Sequence, residues 1–155
     1  MKTVKPFKKP LAFFLFVCLV FSIPLAWAVM PPEYYARSAN KSVIKAIALV
    51  EKVEVVERTK QANRKKVLFR REYGVTAETP PTFTAYCSSV DHFWQGKMVG
   101  GDIYYYPQKG ERVFVTVSTD GGYITSYTQM TPELEQTIRK KPEKLIYRFG
   151  TASFE

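Results

Sequence analysis

Histidine and cysteine are almost missing from this chain. Its 155 residues hold one histidine, His92, and two cysteines, Cys18 and Cys87. A protein zinc site takes three or four ligands, more than these supply, so no metal is expected. Cys87 and His92, five positions apart, form a poor nucleophilic pair, because no third group is evident to orient the base. The glycines are scarce too, and "MVGGD" and "TDGG" read as turns rather than as a loop that cradles phosphate. No internal repeat and no low-complexity tract is present. The expectation is a non-enzymatic protein with no cofactor. A hydrolase acting through Cys87 is the enzymatic alternative.

What is present begins at the N-terminus. "MKTVKPFKKP" carries four lysines and no acid, "LAFFLFVCLVFSIPL" is fifteen residues without charge, and "AWA" ends at Ala28. A basic start, an apolar run and a small-x-small site make a secretory signal peptide, and Pro24 stops its helix near the outer end. Residues 1–28 are therefore expected to be removed, leaving a secreted or periplasmic chain from Val29. The competing reading is an uncleaved single-pass anchor. Leu11 to Met30 is twenty uncharged residues, just enough to cross about 30 Å of hydrocarbon. Cleavage removes Cys18 and leaves Cys87 alone, which excludes an internal disulfide. Cys87 stands in "TFTAYCSSV" and is expected as a buried apolar residue of a strand. Losing four lysines and no acid lowers the net charge from +9 to +5. Such a charge acts on solubility and is no argument for a nucleic-acid partner, so none is expected.

The remaining 127 residues are enough for one domain with its own core. Residues 29–42 read as a linker with a short helical turn after Pro32. "VIKAIALVEKVEVVE" holds seven β-branched residues in fifteen and reads as a long, bent or bulged strand, with a helix through Ile44, Ile47 and Val50 as the competing reading. Arg58 to Lys66 reads as a charged hairpin loop. "VLFRREYGV" and "TFTAYCSSV" are strands separated by "TAETPP", whose prolines cannot continue a ladder. "ERVFVTVS" and "GYITSYTQM" flank Asp120–Gly121, expected as a type I′ turn. That placement sets Ser118 opposite Tyr123, Val117 opposite Ile124 and Phe114 opposite Tyr127. Val113, Val115, Val117 and Ile124 then face the core. Thr131 caps a helix over 132–141, with Pro132 in its first position and Pro142 ending it. "KLIYRFGTASFE" is a last short strand or a tail on the barrel.

Two surfaces stand out as candidate sites. Tyr104 and Tyr106 share one side of their strand, and Phe114, Tyr123 and Tyr127 line one side of the hairpin. Rigid rings with hydroxyls suit glycans, peptides or protein partners, while cross-strand packing is the alternative use of the same rings. Arg64, Lys65, Lys66, Arg70 and Arg71 form a candidate basic rim on the loop between the first strands, where OB-folds bind ligands. A solvated charged hairpin is the alternative there.

The order of elements predicts a mainly β chain: a small Greek-key OB-type barrel over 43–155 with a C-terminal helix, preceded by the signal helix. The order also resembles the netrin-like module of tissue inhibitors of metalloproteinases. The pieces that carry it are "VIKAIALVEKVEVVE", "VLFRREYGV", "PPTFTAYCSS", "GGDIYYYPQKGERVFVTVS" and "TPELEQTIRK", spanning about Ser42 to Lys141. The resemblance implies the fold only. Those inhibitors open on a disulfide-bonded cysteine that chelates the target's zinc, whereas this mature chain would open on Val29, and no functional residue is carried over. The expected function is an exported β-barrel domain that binds a protein or other envelope macromolecule. A membrane-anchored accessory protein is the alternative, with membrane contact only through the N-terminal segment.

Overall fold

The computed structural model describes residues 30–96 and 102–155; the expected signal helix lies outside them. Five strands close into a barrel in the order β1-β2-β3-β5-β4: β1 Ile44–Arg58, β2 Asn63–Gly74, β3 Thr82–Ser89, β4 Arg112–Val117 and β5 Gly122–Gln129. Neighbours run antiparallel except β3 and β5, which meet in parallel at Ala85–Gly122 and Tyr86–Tyr123. This is the small OB-type barrel that the strand pattern predicted.

β1 makes closure feasible by pairing on both sides. It matches β4 from Ile44 to Leu49 and β2 along most of its length. Three register shifts against β2, at Ile47/Ala48, Val50/Lys52 and Val55/Glu57, give it the bend and twist that a closed sheet needs. Lys45 and Glu51, which broke the alternation in the sequence, belong to this bulged strand. Inside the barrel, Phe69 and Phe83 stack at 5.1 Å, and Ala46, Ala48 and Ala85 leave room for them. Small residues beside large ones are how a narrow barrel fills its interior.

A second core lies on the outer wall. Phe114, Ile47, Leu134, Ile138 and Tyr147 pack together there. They join the barrel to helix α1 (Pro32–Lys41), helix α2 (Pro132–Lys140) and a hairpin of β6 (Leu145–Arg148) and β7 (Thr151–Phe154). The Thr131 hydroxyl accepts from Leu134 N at 3.2 Å and Pro132 opens α2, as the sequence indicated. The stretch read as a linker is instead a ten-residue helix that buries Tyr35 and Ala39. Two apolar contacts on a polar helix leave little periodic signal.

Three further expectations need correction. The charged hairpin loop is short: the strands run to Arg58 and resume at Asn63, and Thr59 N donates to Ala62 O at 3.0 Å across the turn. Arg64, Lys65 and Lys66 are therefore strand residues. Asp120–Gly121 is not a type I′ turn, since Gly121 has φ 74° while Asp120 does not share a positive φ; positive φ at the third residue alone is the type II pattern. Asp120 has another task. Its carboxylate accepts from Thr84 N at 2.8 Å, and Gly121 N donates to Thr84 O at 2.8 Å, fastening the turn to β3. Both central residues with positive φ occur at Phe149–Gly150, between β6 and β7. Lastly, Val117 does face Ile124, but a register shift at Thr116/Val117 places Phe114 opposite Thr128 and Tyr127 opposite Val115.

An ion-pair cluster holds α2 to the barrel. Arg112 meets Glu135 through two nitrogens at 2.6 and 2.8 Å and Glu72 at 2.5 Å, and Arg139 reaches Glu135 at 2.9 Å. Hydrogen bonds from Arg112 and then Arg139 pull the Glu135 carboxyl down to about 2. A depressed carboxylate stabilises the fold fully above its ordinary value and loses that effect as pH falls through the folded value. The stability gap between wild type and Glu135→Gln is therefore expected to be constant above pH 4.5 and to close as pH falls towards about 2. Thermal melts of both proteins across this range check it; a gap that widens in acid would contradict it.

Candidate functional site: an aromatic double groove

The five aromatic residues singled out in the sequence do not form one face. Phe114 is fully buried in the second core and stacks on Tyr147 at 6.5 Å. Tyr123 is 56 % exposed on the outer wall. Tyr127 turns towards the barrel core because the bulge at Thr125 shifts the alternation by one residue. Its hydroxyl donates to Glu111 at 2.5 Å. Desolvation first, and this bond second, push that phenol above its ordinary value. Tyr104 and Tyr106 do not lie on a regular strand; Tyr104 makes an isolated parallel bridge to Ser88.

Four of the five nevertheless line two adjoining grooves. The first, about 340 Å³, lies between α1 and β5 and is lined by Tyr34, Tyr35, Ser38, Tyr123 and Thr125. The second, about 280 Å³, is lined by Tyr104, Tyr106, Glu111, Tyr127, Gln129 and Phe149. Ile103 and Tyr105 line both and separate them. Tyr105 is the buried part of the divider, with Tyr127 at 6.1 Å, and burial pushes its phenol upward. The Tyr35 ring lies 5.8 Å from Tyr34 and 6.0 Å from Phe149, bridging the two grooves. Sequence reasoning missed Tyr34, Tyr35 and Phe149. The pair in "PPEYYARS" was an available signal, but the contact with Phe149 depends on where α1 docks.

The basic rim disperses into separate pairs. Lys65 points inward to Asp91 at 2.9 Å, Arg70 meets Glu51 at 2.7 Å, and Arg71 donates to the Thr79 carbonyl. Lys66 lines a shallow depression with Lys52, Glu54 and Leu68. Arg64 alone joins the aromatic surface: its guanidinium lies 4.6 Å from the Tyr86 ring and 5.6 Å from Tyr123, as cation–π pairs do.

One end of the barrel is closed by polar groups. Asp91 accepts from Asn63 at 2.7 Å, Lys65 at 2.9 Å and Ser89 at 3.0 Å, and Gln95 donates to Asn63 at 2.8 Å and to Thr59 O at 3.1 Å. Desolvation opposes ionisation of Asp91, but these hydrogen bonds together outweigh it and hold the carboxyl below its ordinary value. The same loop presents Phe93, fully exposed, and stacks His92 on Trp94 at 5.2 Å.

Cys87 is buried in β3, opposite Lys65, and desolvation raises its thiol to about 12. A thiol that stays protonated is a poor nucleophile. Native Cys87 is thus expected to react with a thiol reagent only as fast as the domain opens, and at once in denaturant; rapid native labelling would contradict this. Among the described residues, no three His, Cys, Asp or Glu side chains converge as metal ligands would, and no helix is long and apolar enough to cross a membrane. Comparison with known proteins returned no match: no family model fits the chain, and no curated protein or solved structure is similar enough to count.

Proposed function

We propose that this chain is an exported, non-enzymatic OB-type barrel that binds a macromolecule of the cell envelope or the surroundings through its double groove. The observation that carries the reading is the grouping of tyrosines from three separate parts of the chain, α1, Ile103–Tyr106 and β5, around two open, adjoining grooves. Tyr34 is 49 % and Tyr106 47 % exposed, and rigid amphipathic rings at a surface are favoured contacts in recognition. Kinship with netrin-like modules is part of this proposal at the level of fold only.

The test is retention of the purified protein on washed envelope material from its host. Wild type should be retained. Tyr34→Ala and Tyr106→Ala should be released while melting close to wild type, because each removes a half-exposed ring. Loss of retention in neither variant, or no retention of wild type, counts against the reading. Export has its own check: N-terminal sequencing of the exported protein is expected to give Val29, and a chain that starts at Met1 and leaves the membrane only in detergent would contradict cleavage.

A further inference from the structure

The second groove contains a residue that folding alone does not explain. Phe149 has φ 46°, in the left-handed region where a bulky side chain is strained. Asn or Gly would fill this turn position with less strain. The ring meets Tyr35 at 6.0 Å on one side but gains little burial in exchange, since 58 % of the residue is exposed. It lines the groove with Tyr106, also exposed. A strained, exposed ring at a groove is best explained by what it touches when the groove is filled.

The polar groups around these rings narrow the class of ligand. Glu111 accepts from the Tyr127 hydroxyl at 2.5 Å, the Gln129 amide nitrogen at 2.6 Å and Gln108 N at 3.1 Å. The Thr151 hydroxyl donates to the Arg148 carbonyl at 2.8 Å. The groove still offers both kinds of group: acceptors in the Gln129 amide oxygen, the Thr151 oxygen and the spare lone pairs of Glu111, and donors in the half-exposed Tyr106 hydroxyl and the second N–H of Gln129. A proline-rich peptide brings carbonyls and no proline N–H, so it would meet the donors and leave the acceptors of Glu111, Gln129 and Thr151 without a partner. A cationic ligand would meet Arg148 beside Phe149 and an exported chain whose net charge, without the four lysines of residues 1–28, is +5. An uncharged sugar suits both constraints, with hydroxyls on its edge that donate and accept and a flat C–H face for a ring.

The geometry points to a neutral oligosaccharide stacked on Phe149 and Tyr106, its hydroxyls donating to Gln129 and Glu111. This inference rests on the macromolecule-binding reading and names its ligand as an uncharged glycan. The exported protein is titrated calorimetrically with hexamers of β-1,4-linked glucose, α-1,4-linked glucose and β-1,4-linked N-acetylglucosamine, and with a ten-residue polyproline peptide. At least one sugar should bind. Phe149→Asn should weaken that binding by about tenfold, or ~1.4 kcal/mol, and should raise the melting temperature, because Asn tolerates the left-handed angles. A fall in melting temperature with binding unchanged would show a packing ring and overturn the site. Silence from every sugar, or binding of polyproline alone, would overturn the ligand class. Envelope retention that still depends on Tyr34 and Tyr106 after such a failure would leave the broader reading standing; loss of that retention would remove both.

Discussion

Gly150→Ala is expected to destabilise the domain by about 2–6 kcal/mol, combining left-handed backbone strain with overpacking. Gly150 has φ 74°, where any side chain is strained. A Cβ there would also lie 2.7 and 2.9 Å from two carbons of Ile103, and closer still to the Tyr105 hydroxyl. Tyr105 is buried and cannot easily move aside. The backbone at this point is itself in use, since Tyr127 N donates to Gly150 O at 2.8 Å. A loss of this size approaches the whole stability of an ordinary domain, about 5–15 kcal/mol. Urea melts of Gly150→Ala and Gly150→Asn separate the two causes. Asn tolerates the angle but keeps the clash, so it should recover only part of the loss. An Ala variant as stable as wild type would contradict the packing of Ile103 and Tyr105 against the turn.

Phe114→Ala is expected to cost about 3–5 kcal/mol, the usual range for a buried ring. Phe114 is fully buried where the barrel wall meets α1, α2 and the β6–β7 hairpin. The cavity would lie at that junction rather than inside the barrel. Hydrogen exchange should therefore quicken first in α2 and β6–β7, while β2 and β3 keep their protection. A loss well under 1 kcal/mol, as expected of an exposed surface ring, would restore Phe114 to the candidate binding face and contradict the second core.

The fate of Phe114 shows where sequence reasoning stopped. Alternation in "ERVFVTVS" correctly separated Val113, Val115 and Val117 from Phe114, and Thr131 with Pro132 marked the start of α2. Alternation says which residues share a face, not whether the outer face is wet or covered. The cover, α1 and the terminal hairpin, carries weak local signals: α1 is polar apart from a few contacts, and Phe149 is an unlikely residue for a left-handed turn position. Bulges were the second obstacle. One extra residue at Thr125 reverses which residues of β5 face inward, so Tyr123 and Tyr127 part company. Lys65 turns inward to Asp91 by plain alternation with Asn63, Val67 and Phe69, while Arg64 stays outside with Tyr86; this was hidden because the strand begins at Asn63, inside the stretch read as a loop. The tyrosine-rich stretch was visible as a candidate site. Its division into two grooves depended on the placement of α1 and Phe149.

The most direct test of the double groove is a map of amide shift changes when the isotope-labelled exported protein is titrated with solubilised envelope material. The account predicts changes concentrated at Tyr34 to Ser38, Ile103 to Tyr106, Tyr123 and Phe149. Changes centred instead on Arg64 to Arg71 or on Phe93 and Trp94, or no change anywhere, would contradict it.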